Sequence, residues 1–220
     1  MLYPLWTAKS GAGCSTTALA LAIDRARRDG DDVLLVDLGG DLAAVAGVPD
    51  RPDGLTDWLA APAAVETALS RLEVPLSPRL SLLPRGSASS WPADRGELLH
   101  RLMLHDARTV VVDVGEVATP DSCMQVLRRR FADGEPSWLV TRPCYLAMRR
   151  VQGVGVRPTG VILVQEPGRS LDRFVVADVV GAPVLALIDH DPAVARAVDA
   201  GLLLSRSPRP LRRQVRSLVR

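Results

Sequence analysis

The chain has 220 residues, 47% hydrophobic, 24% charged and only 4% aromatic, which fits one soluble globular domain whose core is built from Val, Leu and Ala. Three cysteines without CxxC spacing (Cys14, Cys123, Cys144) suggest neither a disulfide framework nor a zinc site and point to a reducing cytoplasm; no secretory leader is expected, and no apolar stretch reaches the ~20 residues of a membrane span. The net charge of +2 is uneven: residues 205–220 hold six arginines and no acid, so a basic tail follows a mildly acidic body, and Lys9 is the only lysine.

Leu2 to Trp6 is a short apolar run that predicts a strand. The stretch Ala8-Lys9-Ser10-Gly11-Ala12-Gly13-Cys14-Ser15-Thr16-Thr17 follows, and an alanine- and leucine-rich helical pattern runs from Ala18 to Ala26. Val33 to Asp37 reads as a buried strand ending in an acid, with Gly39-Gly40 and Gly47-Val48-Pro49 as punctuation. Leu55 to Leu59 and Ala64 to Leu72 predict short helices, Leu80 to Pro84 a third strand, and residues 85–93 a loop. A helix is expected from Asp94 to Leu104, with Asp94 as N-cap and Glu97 three residues on. Thr109 to Asp113 is the clearest buried strand. Then come helix Ser122 to Arg130, strand Ser137 to Thr141, helix Tyr145 to Val151, strand Gly160 to Val164 and helix Asp172 to Val180. Strand Val184 to Ile188 and helices Pro192 to Ala200 and Leu211 to Val219 close the chain. This alternation predicts an α/β fold, a mostly parallel sheet flanked by helices, in one domain of residues 1–220 with the basic tail inside it.

Strand, glycine turn and helix present backbone N–H groups and a helix N-terminus to a phosphate. Acids at the ends of neighbouring strands, here Asp37 and Asp113, are placed to hold Mg²⁺ through water or to orient an attacking water. An arginine fork cannot imitate a compact ammonium inside a tight loop, which gives the single Lys9 weight.

The loop resembles the deviant Walker A motif of the MinD/ParA ATPase family, Lys-Gly-Gly-x-Gly-Lys-Ser/Thr-Thr. Lys9 matches the signature lysine, Gly11 and Gly13 the glycines, Ser15 the magnesium-binding hydroxyl and Thr16 the threonine after it. Asp113 matches the Walker B aspartate and Asp37 the first acid of the family's Asp-x-Asp strand end. Further segments are similar in order and spacing, among them Gly54 to Leu59, Leu80 to Gly86, Leu139 to Pro143, Gly160 to Gln165 and Ile188 to Gly201. Gln165 stands where an adenine-reading asparagine is common. The closing segments resemble most the CpaE/TadZ branch, which places pilus or secretion machinery and tolerates degraded P-loops.

The departures bear on catalysis. Ser10 replaces a glycine, Cys14 replaces the P-loop lysine, and Gly39 replaces the second, water-positioning aspartate, with Asp41 two residues on as a substitute. Losing such a charged contact typically costs ~3–4 kcal/mol of transition-state stabilisation. The resemblance therefore implies binding of ATP or ADP with Mg²⁺ through residues 9–16, Asp37, Asp113 and Gln165, the metal at Ser15 and Asp113, with weak or absent hydrolysis. A scaffold that holds no nucleotide and a working ATPase are the alternatives. Cys14 reads as an apolar replacement rather than a nucleophile, since His100, His105 and His190 lie far from it in sequence and show no metal spacing. The resemblance also implies a homodimer, with Lys9 reaching the partner's phosphate, and a protein partner such as pilus or secretion machinery. In the tail, Leu211, Val215, Leu218 and Val219 share one helical face. A helix packed on the sheet is preferred; peripheral contact of Leu211–Arg220 with the inner face of the membrane, or nucleic acid on the basic face, are the other readings.

Overall fold

The computed structural model describes residues 1–28, 30–62 and 65–218. Its strands are β1 (Leu2–Thr7), β2 (Val33–Asp37), β3 (Val74–Ser77), β4 (Leu80–Leu83), β5 (Thr109–Glu116), β6 (Trp138–Thr141), β7 (Gly160–Gln165) and β8 (Val184–Asp189). They form one sheet in the order β3-β4-β2-β5-β1-β6-β7-β8, parallel throughout except for the antiparallel pair β3–β4 at one edge. The helices are α1 (Cys14–Arg28), α2 (Leu42–Ala46), α3 (Leu55–Ala60), α4 (Ala93–His105), α5 (Cys123–Ala132), α6 (Tyr145–Val154), α7 (Arg173–Val180), α8 (Pro192–Asp199) and α9 (Arg209–Val215).

Apolar runs make the central strands because both sheet faces are covered. Along β2, Val33 and Leu35 pack into a core under α1, α2 and α9, while Leu34 and Val36 pack into a second core under α3 to α7. Tyr3 and Leu5 of β1 join the first core and Trp6 the second, where its indole N–H donates to Ser137 Oγ at 2.9 Å. The predicted α/β class and the mostly parallel sheet are present, and each predicted strand is found.

Several boundaries differ, each for a local reason. Strand β3 was not expected: Val74-Pro75-Leu76-Ser77 is half-exposed, and its proline is tolerated because it pairs only at the sheet edge. Helix α2 was not among the expected helices; it spans five residues between the punctuating Gly39-Gly40 and Gly47-Val48-Pro49 and ends on Gly47 in the left-handed region at φ 71°. Asp94 is not an N-cap. Helix α4 starts at Ala93 after Pro92, without a side-chain cap, so Asp94 lies inside the first turn. The segment expected as a helix from Ala64 is a 3-10 helix over Glu66–Leu72; residue 64 itself lies outside the described residues.

The tail is a packed helix. Leu211, Val215 and Leu218 are buried against α1 and β8, and Arg216 pairs with the buried Asp24 at 2.8 Å. The apolar face that a membrane reading requires is thus covered by the chain itself. A 3-10 turn over Arg216–Leu218 follows α9, and the predicted Val219 and Arg220 lie outside the described residues. No described helix is long and apolar enough to cross a membrane.

Candidate functional site

β1 and β5 are neighbours in the sheet, yet the helices that follow them leave on opposite faces, α1 over one core and α5 over the other. Such a divergence opens a crevice beyond the strand ends, the usual ligand position in an open α/β sheet. The 8–13 turn lies there. Gly11 and Gly13 have φ of 77° and 96°, in the left-handed region that suits glycine. Gly13 O accepts from both the N–H (2.9 Å) and the hydroxyl (2.8 Å) of Thr17, which fixes the first turn of α1.

A cleft of about 480 Å³ opens over this turn. Ser10, Gly11, Ala12, Gly13, Cys14, Ser15 and Thr16 line it, together with Gly39, Asp41, Gly115, Glu116 and Arg128. The predicted loop residues are therefore brought together, apart from Lys9. Lys9 is half-buried beside the cleft, with Nζ 3.5 Å from Ser10 O and no ion pair among the described residues. Asp41 is exposed on the rim, and its carboxylate makes no capping hydrogen bond to α2.

The floor is more closed than the sequence suggests. Cys14 is buried and its thiol donates to Leu5 O at 3.3 Å, pointing into the first core rather than at the cleft. Burial, then the charge of Asp113, push its pKa well above the usual thiol value, so it is a protonated packing group. Asp113 is fully buried behind it; Oδ1 accepts from Gly115 N–H at 3.2 Å, and Oδ2 has no hydrogen-bond partner. Burial raises the Asp113 pKa, opposed by the nearby Ser15 and Cys14 side chains and the Gly115 N–H.

Gly39 packs directly on that carboxylate: a Cβ there would lie 2.9 Å from Asp113 Oδ2. Gly115, at φ 76°, forms a bulge between β5 and β1, and a Cβ on it would meet Gly39 Cα at 2.8 Å. Asp37 does not line the cleft. Its carboxylate accepts from Gly40 N–H (2.6 Å) and Leu42 N–H (3.1 Å), closing the turn between β2 and α2. Burial, and next the charge of Asp113, push its pKa up to about 7.

Two residues that sequence reasoning missed shape the cleft. Glu116 Oε2 accepts from Ser10 N–H at 2.9 Å and from the Ser10 hydroxyl, while Oε1 pairs with Arg150 at 3.2 Å. Arg128, half-buried on α5, donates to Leu38 O, Gly39 O and Glu116 O. Glu116 sits three residues after Asp113 on the same strand, a spacing that marks the crevice. Arg128 is one of three successive arginines, and only the packing of Leu127 and Phe131 tells which of them turns toward β5.

A second cleft of about 230 Å³ adjoins the first across Gly13 and Thr16. Its walls include Thr17, Arg142, Val164, Ile188, Asp189 and His190. Gln165 ends β7 next to Val164 but is not one of the lining residues; its carbonyl accepts from His190 N–H at 2.8 Å.

The donor set fits a magnesium nucleotide. Ser15 lines the phosphate-sized cleft, and the buried Asp113 Oδ2 behind it is an acceptor that the chain leaves unpaired. Among the described residues no group of three or more His, Cys, Asp or Glu is placed to hold a metal, so a cation here would also need phosphate oxygens.

No protein-family model matches the chain, and no curated protein matches it in sequence. Solved structures do. The ParA family ATPase of Chlorobium tepidum superposes with a TM-score of 0.75 at 20% identity, over 100% of this chain and 99% of its own. The septum site-determining protein MinD of Pyrococcus horikoshii, complexed with Mg-ADP, gives 0.73 at 20% identity over 99% of this chain and 94% of that one. A chain of the MinC:MinD cell division protein complex of Aquifex aeolicus gives 0.74 at 18% identity, over 99% and 93%. At these identities the likeness establishes the fold, that of the MinD and ParA ATPases.

Proposed function

We propose that the chain binds ATP or ADP with Mg²⁺ in the cleft over the 8–13 turn and hydrolyses it poorly, acting as a nucleotide-responsive positioning switch. The observation that carries this reading is the cleft itself: left-handed Gly11 and Gly13 open it onto the N-terminus of α1, and a structure of the same fold was solved as a complex with Mg-ADP. The backbone N–H groups of the turn and the end of α1 would hold the phosphates, and Ser15, backed by Asp113, the metal. Bound Mg²⁺ supplies charge neutralisation along the phosphates.

Poor hydrolysis follows from two positions, 14 and 39, that present no charged group to a phosphate in the cleft. The Cys14 thiol is spent on Leu5 O, and the space where a carboxylate at position 39 would begin is filled by Asp113. Asp41, on the rim, is one of three carboxylates lining the cleft among the described residues, with Glu116 and Asp199, and Glu116 is engaged by Ser10 and Arg150.

Residues 1–220 would act as one unit. We infer dimerisation through the loop face from Lys9, whose ammonium sits at the cleft edge without a carboxylate of its own among the described residues. A protein partner is supported by the fold shared with a MinC:MinD complex; pilus or secretion machinery, as for the CpaE/TadZ branch, is the partner that the closing segments favour. Calorimetry of the chain with Mg-ATP and Mg-ADP tests the binding: saturable heat is expected, and its absence at millimolar nucleotide would refute the reading.

A further inference from the structure

We propose that Arg128 supplies to a bound polyphosphate the positive charge that Cys14 cannot, so that a guanidinium from α5 replaces the missing ammonium of the loop. The proposal rests on the nucleotide reading above and deepens it.

Arg128 is the one basic side chain among the described residues that line the cleft. It is half-buried, and no carboxylate lies within ion-pair distance of it among the described residues. Its neighbours are carbonyls instead. Nε and Nη2 donate to Leu38 O at 3.2 and 2.6 Å, Nη2 also to Gly39 O at 3.3 Å, and Nη1 to Glu116 O at 3.2 Å. A guanidinium has five N–H groups, so one on Nη1 is left over.

Those bonds hold the plane of the guanidinium against Gly115, where a Cβ would come within 3.5 Å of Cζ. Carbonyl dipoles position the group without cancelling its charge. A desolvated cation held in this way is stabilised by an anion entering the same cleft. Burial, and next the like charge of Arg85, already disfavour its charged form, and the carboxylates of Asp113, Asp37 and Glu116 only partly offset them.

The other cations near the crevice are placed differently: Lys9 lies at the edge, outside the lining. Arg150 is paired with Glu116, and Arg85 lines a separate cleft beside Asp37, Asp50 and Arg51. A guanidinium presents parallel N–H groups to phosphate oxygens, so the substitution keeps the charge and changes the geometry of the contact. A triphosphate or diphosphate would gain from it. A nucleoside monophosphate, held at the α1 end of the turn, would not.

The test is calorimetric titration of the full chain and of Arg128→Gln and Arg128→Lys with Mg-ATP, Mg-ADP and AMP. Arg128→Gln is expected to weaken Mg-ATP and Mg-ADP by about tenfold to a hundredfold, to leave AMP unchanged, and Arg128→Lys to recover part of the loss. Unchanged Mg-ATP affinity in Arg128→Gln would overturn the proposal. So would an equal loss for all three ligands, which would mean that Arg128 only props the 38–39 turn. If the wild-type chain bound none of them, the nucleotide reading itself would fall, and this proposal with it. A second measurement needs no variant. Phenylglyoxal labelling of Arg128 in the wild-type chain, mapped by mass spectrometry, is expected to fall with Mg-ATP and not with adenosine; equal labelling would contradict the proposal.

Discussion

Glu116 holds Ser10 by two bonds at once: the Ser10 N–H donates to Oε2 at 2.9 Å, and the Ser10 hydroxyl donates to the same oxygen. The other carboxylate oxygen is anchored by Arg150 on α6 at 3.2 Å. An amide of the glycine turn is thus already satisfied by an internal anion. A phosphate entering the cleft must displace that carboxylate or be repelled by it. Glu116→Ala is therefore expected to tighten Mg-ATP binding by about two- to tenfold, read by calorimetry. Weaker binding would show that Glu116 supports the loop rather than competing for it.

Gly39 and Asp113 are packed so closely that the missing aspartate cannot simply be put back. A Cβ at position 39 would sit 2.9 Å from Asp113 Oδ2 and 3.3 Å from its Cγ. A carboxylate added there would also face the charge of Asp113. Gly39→Ala is expected to cost about 1–3 kcal/mol of stability by overpacking. Gly39→Asp is expected to cost more, with no gain in hydrolysis. Denaturant unfolding and a phosphate-release assay check both; a Gly39→Asp variant that hydrolyses ATP briskly at wild-type stability would overturn this view of the site.

Asp37 makes stability depend on pH in an unusual direction. Its folded pKa is raised to about 7 from an ordinary carboxylate value of 3.8. The folded state then binds more protons than the unfolded one between those values, so stability is full below about pH 4 for this group and falls as pH rises toward 7. Asp113, shifted the same way, adds to the slope. Urea midpoints are expected to fall from pH 5 to pH 8, and Asp37→Asn is expected to flatten that fall. A chain whose midpoint rises over this interval would contradict the assignment.

The tail separates packing from surface charge. Leu211 is 2% exposed and lies in the core under α1, whereas Arg213 sits on the solvent side of α9. Leu211→Ala is expected to destabilise the fold by about 2–5 kcal/mol, and Arg213→Glu by less than about 0.5 kcal/mol. Chemical denaturation measures both. Equal, small effects would mean that α9 is not part of the core in solution.

Much of this molecule is legible in its sequence because buried parallel strands leave an unambiguous trace. Val33 to Val36 and Val110 to Val112 are continuous apolar runs, and each is followed by an acid, Asp37 and Asp113. The glycine turn carries its own signal, since Gly11 and Gly13 occupy backbone states that suit glycine. Less legible are features decided by tertiary contact. Strand β3 contains a proline and shows only half-buried alternation, so it exists because β4 offers an edge. The position of Asp37 in the sequence is that of a phosphate-side acid, but two N–H groups of the following turn claim it. Which of Arg128, Arg129 and Arg130 enters the cleft depends on how α5 rotates when Leu127 and Phe131 are buried, and no local pattern states that.

The most direct measurement of the central claim is filter binding of γ-labelled ATP with Mg²⁺ and the full chain in excess, followed over minutes. Label is expected to stay on the chain and to remain ATP for most of that time, because on the proposed reading the cleft would hold the phosphates while Cys14 and Gly39 would leave the chemistry unsupported. Absence of retained label, or its rapid release as inorganic phosphate, would contradict the claim.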